Sequence, residues 1–310
     1  RRKLNLLVGV PLTVVVALLA YLIADQTAQS RDAADAARLV RESVEVATLV
    51  DRLAAEHQQA ILLSVRHEAA RGSEPSSAAY RTAQSSVNVQ IQRVRDAFGE
   101  QLPQTEAQAL RGVEGLTSLR TSVEQSYLPA DNIDPAYAGA AQSLIDGLGL
   151  DRDADLAETF TGSLLDSLLR ADAAHGAFET NVFAATTGDT NAQIEFTSAV
   201  GAYELYTHQA ERFGRFATEA QAERFSGIEH TQAQREIAEA YAELQVGIGR
   251  LETNDRERLR LAVQDALTDY PAYPQQAAAR LKITTALIGQ IADRADNAAD
   301  GARWRAGLLL

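Results

Sequence analysis

From Leu4 to Ala24 the chain reads LNLLVGVPLTVVVALLAYLIA, without one charged side chain. At ~1.5 Å per residue a helix of that length spans about 30 Å, the thickness of the hydrocarbon layer of a bilayer. Arg1, Arg2 and Lys3 precede it. A secretory signal peptide also has a basic flank, but the length of this run and its lack of a small-residue cleavage signature favour an uncleaved transmembrane helix. Pro11 falls inside the run, where membrane helices tolerate proline better than soluble ones. The positive-inside rule then places the N-terminus in the cytoplasm and everything after Asp25 outside the cell. The far end repeats the pattern: Arg303, Trp304 and Arg305 lead into Ala306-Gly307-Leu308-Leu309-Leu310. Such a threshold of snorkelling arginines and an amphipathic Trp reads as the start of a second membrane helix. The expected organisation is a basic flank and membrane helix over 1–24, an extracytoplasmic helical domain over 25–302, and the start of a second span over 303–310.

Composition limits what the middle can do. With 310 residues there is enough chain for one large domain or two ordinary ones. Zero Cys excludes disulfides, thiolate metal sites and cysteine nucleophiles, and zero Met leads us to expect a piece of a longer polypeptide. The net charge is −13, and because five of the basic residues sit at the two apolar ends, the segment between them is more acidic still. Nucleic acid is not expected as a partner, since no basic face is available to neutralise phosphates.

Proline marks the joints. Pro75, Pro103, Pro129, Pro135, Pro271 and Pro274 each stand near turn-forming residues, and between them lie long stretches of helical periodicity. The first helix is expected to run on from the membrane to about Arg71, with Leu39, Val46, Leu53 and Ala60 repeating every seven residues and Leu49, Val50 and Leu63 between them. Further helices are expected over Ala78–Phe98, Gln104–Ser126, Pro135–Leu148 (capped by Asn132 or Asp134), Asp155–Thr187, Asn191–Ala217, Thr231–Gly247, Asp255–Asp269 and Gln275–Trp304. Thr218 with Gln221 has capping-box spacing and opens a short helix to Gly227. No strand of convincing length is present, so the fold class is all-α. Residues 65–95 can be laid on 181–211 at an offset of 116, matching Gly72 to Gly188 and Tyr80 to Phe196. Two such hairpins point to two four-helix bundles side by side, although any two helical hairpins share much of this pattern.

Enzymatic constellations are poor, and neither a cofactor nor a metal is expected. The five histidines (His57, His67, His175, His208 and His230) are scattered, and the two on the first long helix are ten apart rather than at the i, i+4 spacing of a metal pair. Polar groups on apolar faces carry more information. His57 interrupts the stripe between Leu53 and Ile61, with Glu56 beside it, and a core histidine bonded across the bundle is the plainer account of it. Arg66 has Leu62, Leu63, Ala69 and Ala70 as helical neighbours, so its guanidinium is expected among apolar side chains, needing an acid or a bound anion. Gln209 and Arg212 follow the stripe of Phe196, Tyr203 and Tyr206, and Lys282 lies among Ala278, Ala279, Thr285 and Ala286. Solvent-facing ion pairs are the plainer account of Arg212 and Lys282.

The segments Leu53-Ala54-Ala55-Glu56-His57, Phe183-Ala184-Ala185-Thr186-Thr187-Gly188-Asp189 and Gln209 to Thr218, with a closing helix from Gln275 to Ala295, resemble the nitrate- and nitrite-sensing domain of actinobacterial sensor histidine kinases. The resemblance covers roughly Arg38 to Ala299 and implies paired four-helix bundles, a homodimer, recognition of a small anion by arginines between helices, and a response regulator addressed through a cytoplasmic kinase part. His57 stands where the family commonly has arginine, which replaces a permanent bidentate donor by an imidazole and puts nitrate recognition in doubt. The expected function is thus an extracytoplasmic sensor of a small anion in a two-span receptor, itself without enzymatic activity, with His57, Arg66, Gln209, Arg212 and Lys282 as ligand-binding candidates. The alternatives are a membrane-anchored helical interaction module without a small ligand, and a chemoreceptor ectodomain.

Overall fold

A computed structural model describes residues 2–69, 76–150, 161–187, 192–227 and 273–308, together with the isolated positions 235, 238, 241 and 242. The described residues are helical, with no strand among them. The first helix, α1, runs unbroken through Arg2–Ala69. Of its side chains before Ala34, only Tyr21, Ala28 and Arg31 are described, so within the expected span over 4–24 Tyr21 alone has a described side chain. Among the described residues no helix is long and apolar enough to cross a membrane. The helices expected over 231–247 and 255–269, and the turn at Gly188, also lie outside the described residues.

The heptad reading of α1 matches its burial. Val46, Leu49, Val50, Leu53, Ala60 and Leu63 are all buried, and Leu39 packs against them half-buried. The return helix α2, Ala78–Phe98, stops at Gly99, whose φ of 53° lies in the left-handed region that glycine enters without steric cost. In place of the single helix expected over Gln104–Ser126 there are two, α3 (Gln104–Glu114) and α4 (Thr117–Gln125). They part at Gly115 and Leu116, a turn so tight that a Cβ on Gly115 would lie 3.1 Å from the carbonyl oxygen of Gly112.

Helix α5, Ala130–Gly147, begins behind Pro129 and carries Pro135 within it. Asn132 and Asp134 are therefore inside the helix and do not cap it, which corrects the expected start by about one turn. Helices α6 (Thr161–Thr187) and α7 (Ala192–Phe216) follow. Helix α8, Glu219–Ser226, opens with the expected capping box, in which Thr218 accepts from Gln221 N–H and the Gln221 side chain accepts from Thr218 N–H. The last helix, α9, spans Tyr273–Leu308.

Helix α1 is the common element of the packing. It lies against α2, α4 and α5, and also against α6 and α9, while α6 pairs with α7, α3 with α5, and α8 with α9. The pairs Asp51–Arg280 (3.4 Å) and Arg41–Asp296 (2.9 Å) show that α1 and α9 run antiparallel, since numbering falls along one as it rises along the other. Tyr21 and Trp304, two of the most exposed large side chains at 69% and 72%, stand toward the same end of that pair.

Candidate functional site

Three groups of polar side chains are built into this packing. The first joins α1 to α2, α4 and α5. Arg120 forks onto Glu56 with Nε donating to Oε1 (2.8 Å) and Nη2 to Oε2 (2.7 Å), and its Nη1 donates to Asn88 (3.2 Å). Tyr137 donates its hydroxyl to Glu56 Oε1 (2.7 Å) and meets the Tyr80 hydroxyl at 3.1 Å. Burial alone would pull Arg120 down, but the hydrogen bonds and charge of Glu56 outweigh it and hold the guanidinium above its ordinary range. Burial pushes the Tyr137 phenol up, and the neighbouring Glu56 carboxylate adds to it. His57 is buried here, stacked on Tyr137 with ring centres 4.9 Å apart and its Nε2 at 2.6 Å from Asp134 Oδ1. The core-histidine account is the one its surroundings fit.

The second group ties α1, α6 and α9 around one guanidinium. Arg280 lies 2.9 Å from Asp172, 2.7 Å from Glu179 and 3.4 Å from Asp51, with His175 Nδ1 at 3.3 Å. Thr284 donates to Asp172 (3.3 Å). Three carboxylates against one arginine leave an excess of negative charge in a site from which water is excluded. Burial pushes the Asp51 carboxyl up to about 6, against the opposing pull of Arg280, and raises Glu179 as well.

The third group lines a cleft of about 460 Å³ between α5, α6 and α7. Asp166 accepts from Arg170 Nε (2.8 Å) and from Arg212 Nη1 (3.2 Å), and Arg170 reaches Asp146 with its other end. Gln209 is buried at 7% exposure, and its Oε1 has no hydrogen-bond partner. The remaining wall is largely alanine. Its guanidinium groups and a carboxamide can receive an oxyanion.

No protein-family model, curated protein or solved structure matches this chain.

Of the five candidates, Gln209 and Arg212 are brought together in the cleft and His57 is placed in the first group. Arg66 is exposed, which corrects the expectation of an apolar flank: the buried face of α1 passes through Leu63 and Ser64 to the half-buried His67, and Arg66 lies to one side of it. Lys282 is likewise exposed. The buried cation of α9 is Arg280, two residues earlier and so about 200° around the helix. Its place was written in the sequence, because Arg280, Thr284, Leu287, Ile288 and Ile291 share one buried stripe. Arg120 is equally legible between Val113, Leu116 and Val123. Their carboxylate partners come from distant helices, a pairing no local pattern encodes. Among the described residues no His, Asp and Glu cluster has the makings of a metal site.

Proposed function

We propose that this chain is the extracytoplasmic sensory region of a two-span membrane receptor of the sensor histidine kinase type, which binds a small anion such as nitrate or nitrite and signals by shifting its first helix against its last. The observation that carries this reading is the α1–α9 pair. The helix that continues from the apolar run and the helix that leads to the apolar C-terminal residues are antiparallel, packed together, and joined through Arg280 inside and Arg41 outside. Whatever alters α6 is felt by both, because Asp172 and Glu179 of α6 grip the same guanidinium as Asp51 of α1. The exposed Tyr21 and Trp304 suit a membrane interface at that end.

The cleft on α6 and α7 is the ligand site in this reading. Asp166 accepts from both Arg170 and Arg212, and Arg212 spends one of its N–H groups on that one acidic partner among the described residues, so its other N–H groups are the donors an anion would meet. The arginines of the other two groups are already matched by carboxylates and serve to hold helices. Grouping α1, α2, α4 and α5 as one four-helix bundle and α1, α6, α7 and α9 as the other belongs to this proposal, as do the homodimer, the surrounding lipid and the response regulator reached through a kinase part.

The test uses the absence of native cysteine. Spin labels on Ala28→Cys and Gly301→Cys, both exposed, report the α1–α9 distance of the full chain in lipid nanodiscs. Nitrate or nitrite is expected to shift the distance distribution by about 1–2 Å. An unchanged distribution at saturating anion rejects signalling by this helix pair.

A further inference from the structure

A groove of about 550 Å³ between α1 and α2 shares no residue with the cleft between α5, α6 and α7. We propose that it binds an elongated small molecule carrying a phosphate or sulfate ester at each end. This is a second site, and it stands or falls apart from the cleft.

The lining follows from the register of α2. Arg81, Ser85, Val89 and Arg93 stand four residues apart and make one ridge of that helix, with Thr82, Ser86 and Gln90 as the next. Gln90 is the buried residue of the set, fixed by donating Nε2 to the Glu45 carbonyl (3.0 Å) and carboxylate (2.7 Å). That contact and the one from Arg38 to the Phe98 carbonyl run α1 and α2 antiparallel, with Arg52 of α1 about level with Ala83. Arg52 and Arg81 therefore enter the groove near one end, beside Ser85 and Ser86, and Arg93 enters about 15 Å farther along. Val89 lies between them, an apolar side chain exposed at 52%.

Charge sets the sign of the ligand. The chain has 42 acidic residues against 29 basic, yet among the described residues no carboxylate lines this groove. Of the acids that act on its lining, Glu124 is held by Arg81, Glu45 by Gln90, and Asp51 belongs to the Arg280 cluster. The side chains of Arg52, Ser85, Ser86 and Arg93 make no hydrogen bond or ion pair among the described residues. An anion at one end alone meets exposed, hydrated guanidinium groups, which hold a partner weakly. A molecule that reaches both ends makes its second contact at high effective concentration, and its body covers Val89. At the Arg52 end a tetrahedral ester suits better than a planar carboxylate, because it offers three terminal oxygens to a guanidinium and two hydroxyls. The volume lies in the range of ~300–1,000 Å³ usual for organic ligands. A lipid headgroup is the other source of such an ester. Arg52 stands about 45 Å along α1 from Tyr21, beyond the reach of a membrane at that end.

The experiment is calorimetric titration of the full chain in nanodiscs of zwitterionic lipid at low ionic strength. The probes are hexane-1,6-diyl bisphosphate, the matching bissulfate, hexyl phosphate and pyrophosphate. The bisphosphate or the bissulfate is expected to bind at least tenfold more tightly than hexyl phosphate, which has one charged end, and than pyrophosphate, whose charges are adjacent. A preference between the first two tells phosphate from sulfate. Arg93→Gln is expected to bring the preferred probe down to the affinity of hexyl phosphate, and Arg52→Gln to weaken it at least tenfold. Arg111→Gln removes the same charge from an exposed position on α3 and is expected to leave binding unchanged. Because Arg52 adjoins Asp51, Val89→Asp serves as a further variant: it sets a carboxylate in the groove at an exposed position and is expected to abolish binding with the circular dichroism and unfolding midpoint retained. Hexyl phosphate or pyrophosphate binding as tightly as the two-ended probes overturns the inference. So does an equal loss on Arg111→Gln, which would reduce the effect to net charge, and so does binding untouched by Val89→Asp. Absence of binding by all four probes rejects the site.

Discussion

At the scale of single residues, the buried ionisable groups decide most of what can be measured. Glu106 is fully buried on α3 with neither carboxylate oxygen bonded, and burial pushes its carboxyl up to about 8. A group whose folded value lies above its unfolded value of 4.5 is held protonated by the fold. Stability from this residue is therefore complete below about pH 4.5, falls by ~1.4 kcal/mol per pH unit as the pH rises from there, and levels off beyond about pH 8. Glu106→Gln is expected to remove that slope, which urea titrations at pH 5, 6.5 and 8 would show; a slope unchanged in the variant would assign it elsewhere. Arg120 presents the opposite case, a charge fully matched by the fork to Glu56. Arg120→Ala strands a buried carboxylate and is expected to cost ~3–5 kcal/mol, whereas Arg120→Leu with Glu56→Leu is expected to recover most of the loss. Chemical denaturation of the two variants side by side checks this, and equal losses would count against a desolvation penalty as the cause.

At the scale of the element, the ends of helices show what the sequence carries and what it leaves out. The return helix α2 and the capping box at Thr218 were readable because their signals are local: a glycine just past a periodic stretch, a Thr and a Gln three apart. The break between α3 and α4 was not, since Gly115-Leu116-Thr117 fits a continuous helix equally well. What bends the chain there is the packing of Leu116 and Val123 on one side and Leu110 and Val113 on the other into a common core. The start of α5 was missed because Pro135 competes with Pro129 as a first-turn proline, and Asp134, a natural cap by type, is instead engaged by His57 of α1. The buried arginines were legible as members of apolar stripes, and their partners were not, because a stripe specifies a face without naming what it meets. Helices α5 and α3 approach each other closely at Gly147. A Cβ on Gly147 would come within 2.9 Å of the Glu106 Cα, a backbone atom that cannot step aside. Gly147→Ala is thus expected to cost ~1–3 kcal/mol although it favours helix by propensity, with the thermal midpoint lowered; an unchanged or raised midpoint would mean that α3 and α5 can separate without loss.

At the scale of the whole molecule, one guanidinium holds three long helices, and its surroundings titrate. Asp51 of α1 faces Arg280 of α9, Asp172 and Glu179 of α6, and Arg52 beside it on α1, and His175 of α6 lies against Arg280 and Glu179. With its carboxyl raised from 3.8 to about 6, the stability that Asp51 contributes is complete below about pH 4 and is lost as the pH climbs through 6. The full chain is expected to gain ~1–2 kcal/mol between pH 7 and pH 5 through this cluster, and Asp51→Asn to flatten that part of the profile. Spin-labelled α1 and α9 measured over the same range would show whether the helices tighten with the added proton; a flat wild-type profile would set the charge excess aside. The length of α1 gives such small changes their reach. Its 68 residues make a helix of about 100 Å that packs on α2, α4, α5, α6 and α9. In the proposed receptor, a tilt of about one degree about Asp51, ~75 Å from the N-terminal end of the helix, would sweep that end through roughly 1.3 Å, so the helix would work as a lever that converts an angular change at the Arg280 cluster into linear travel at its tip.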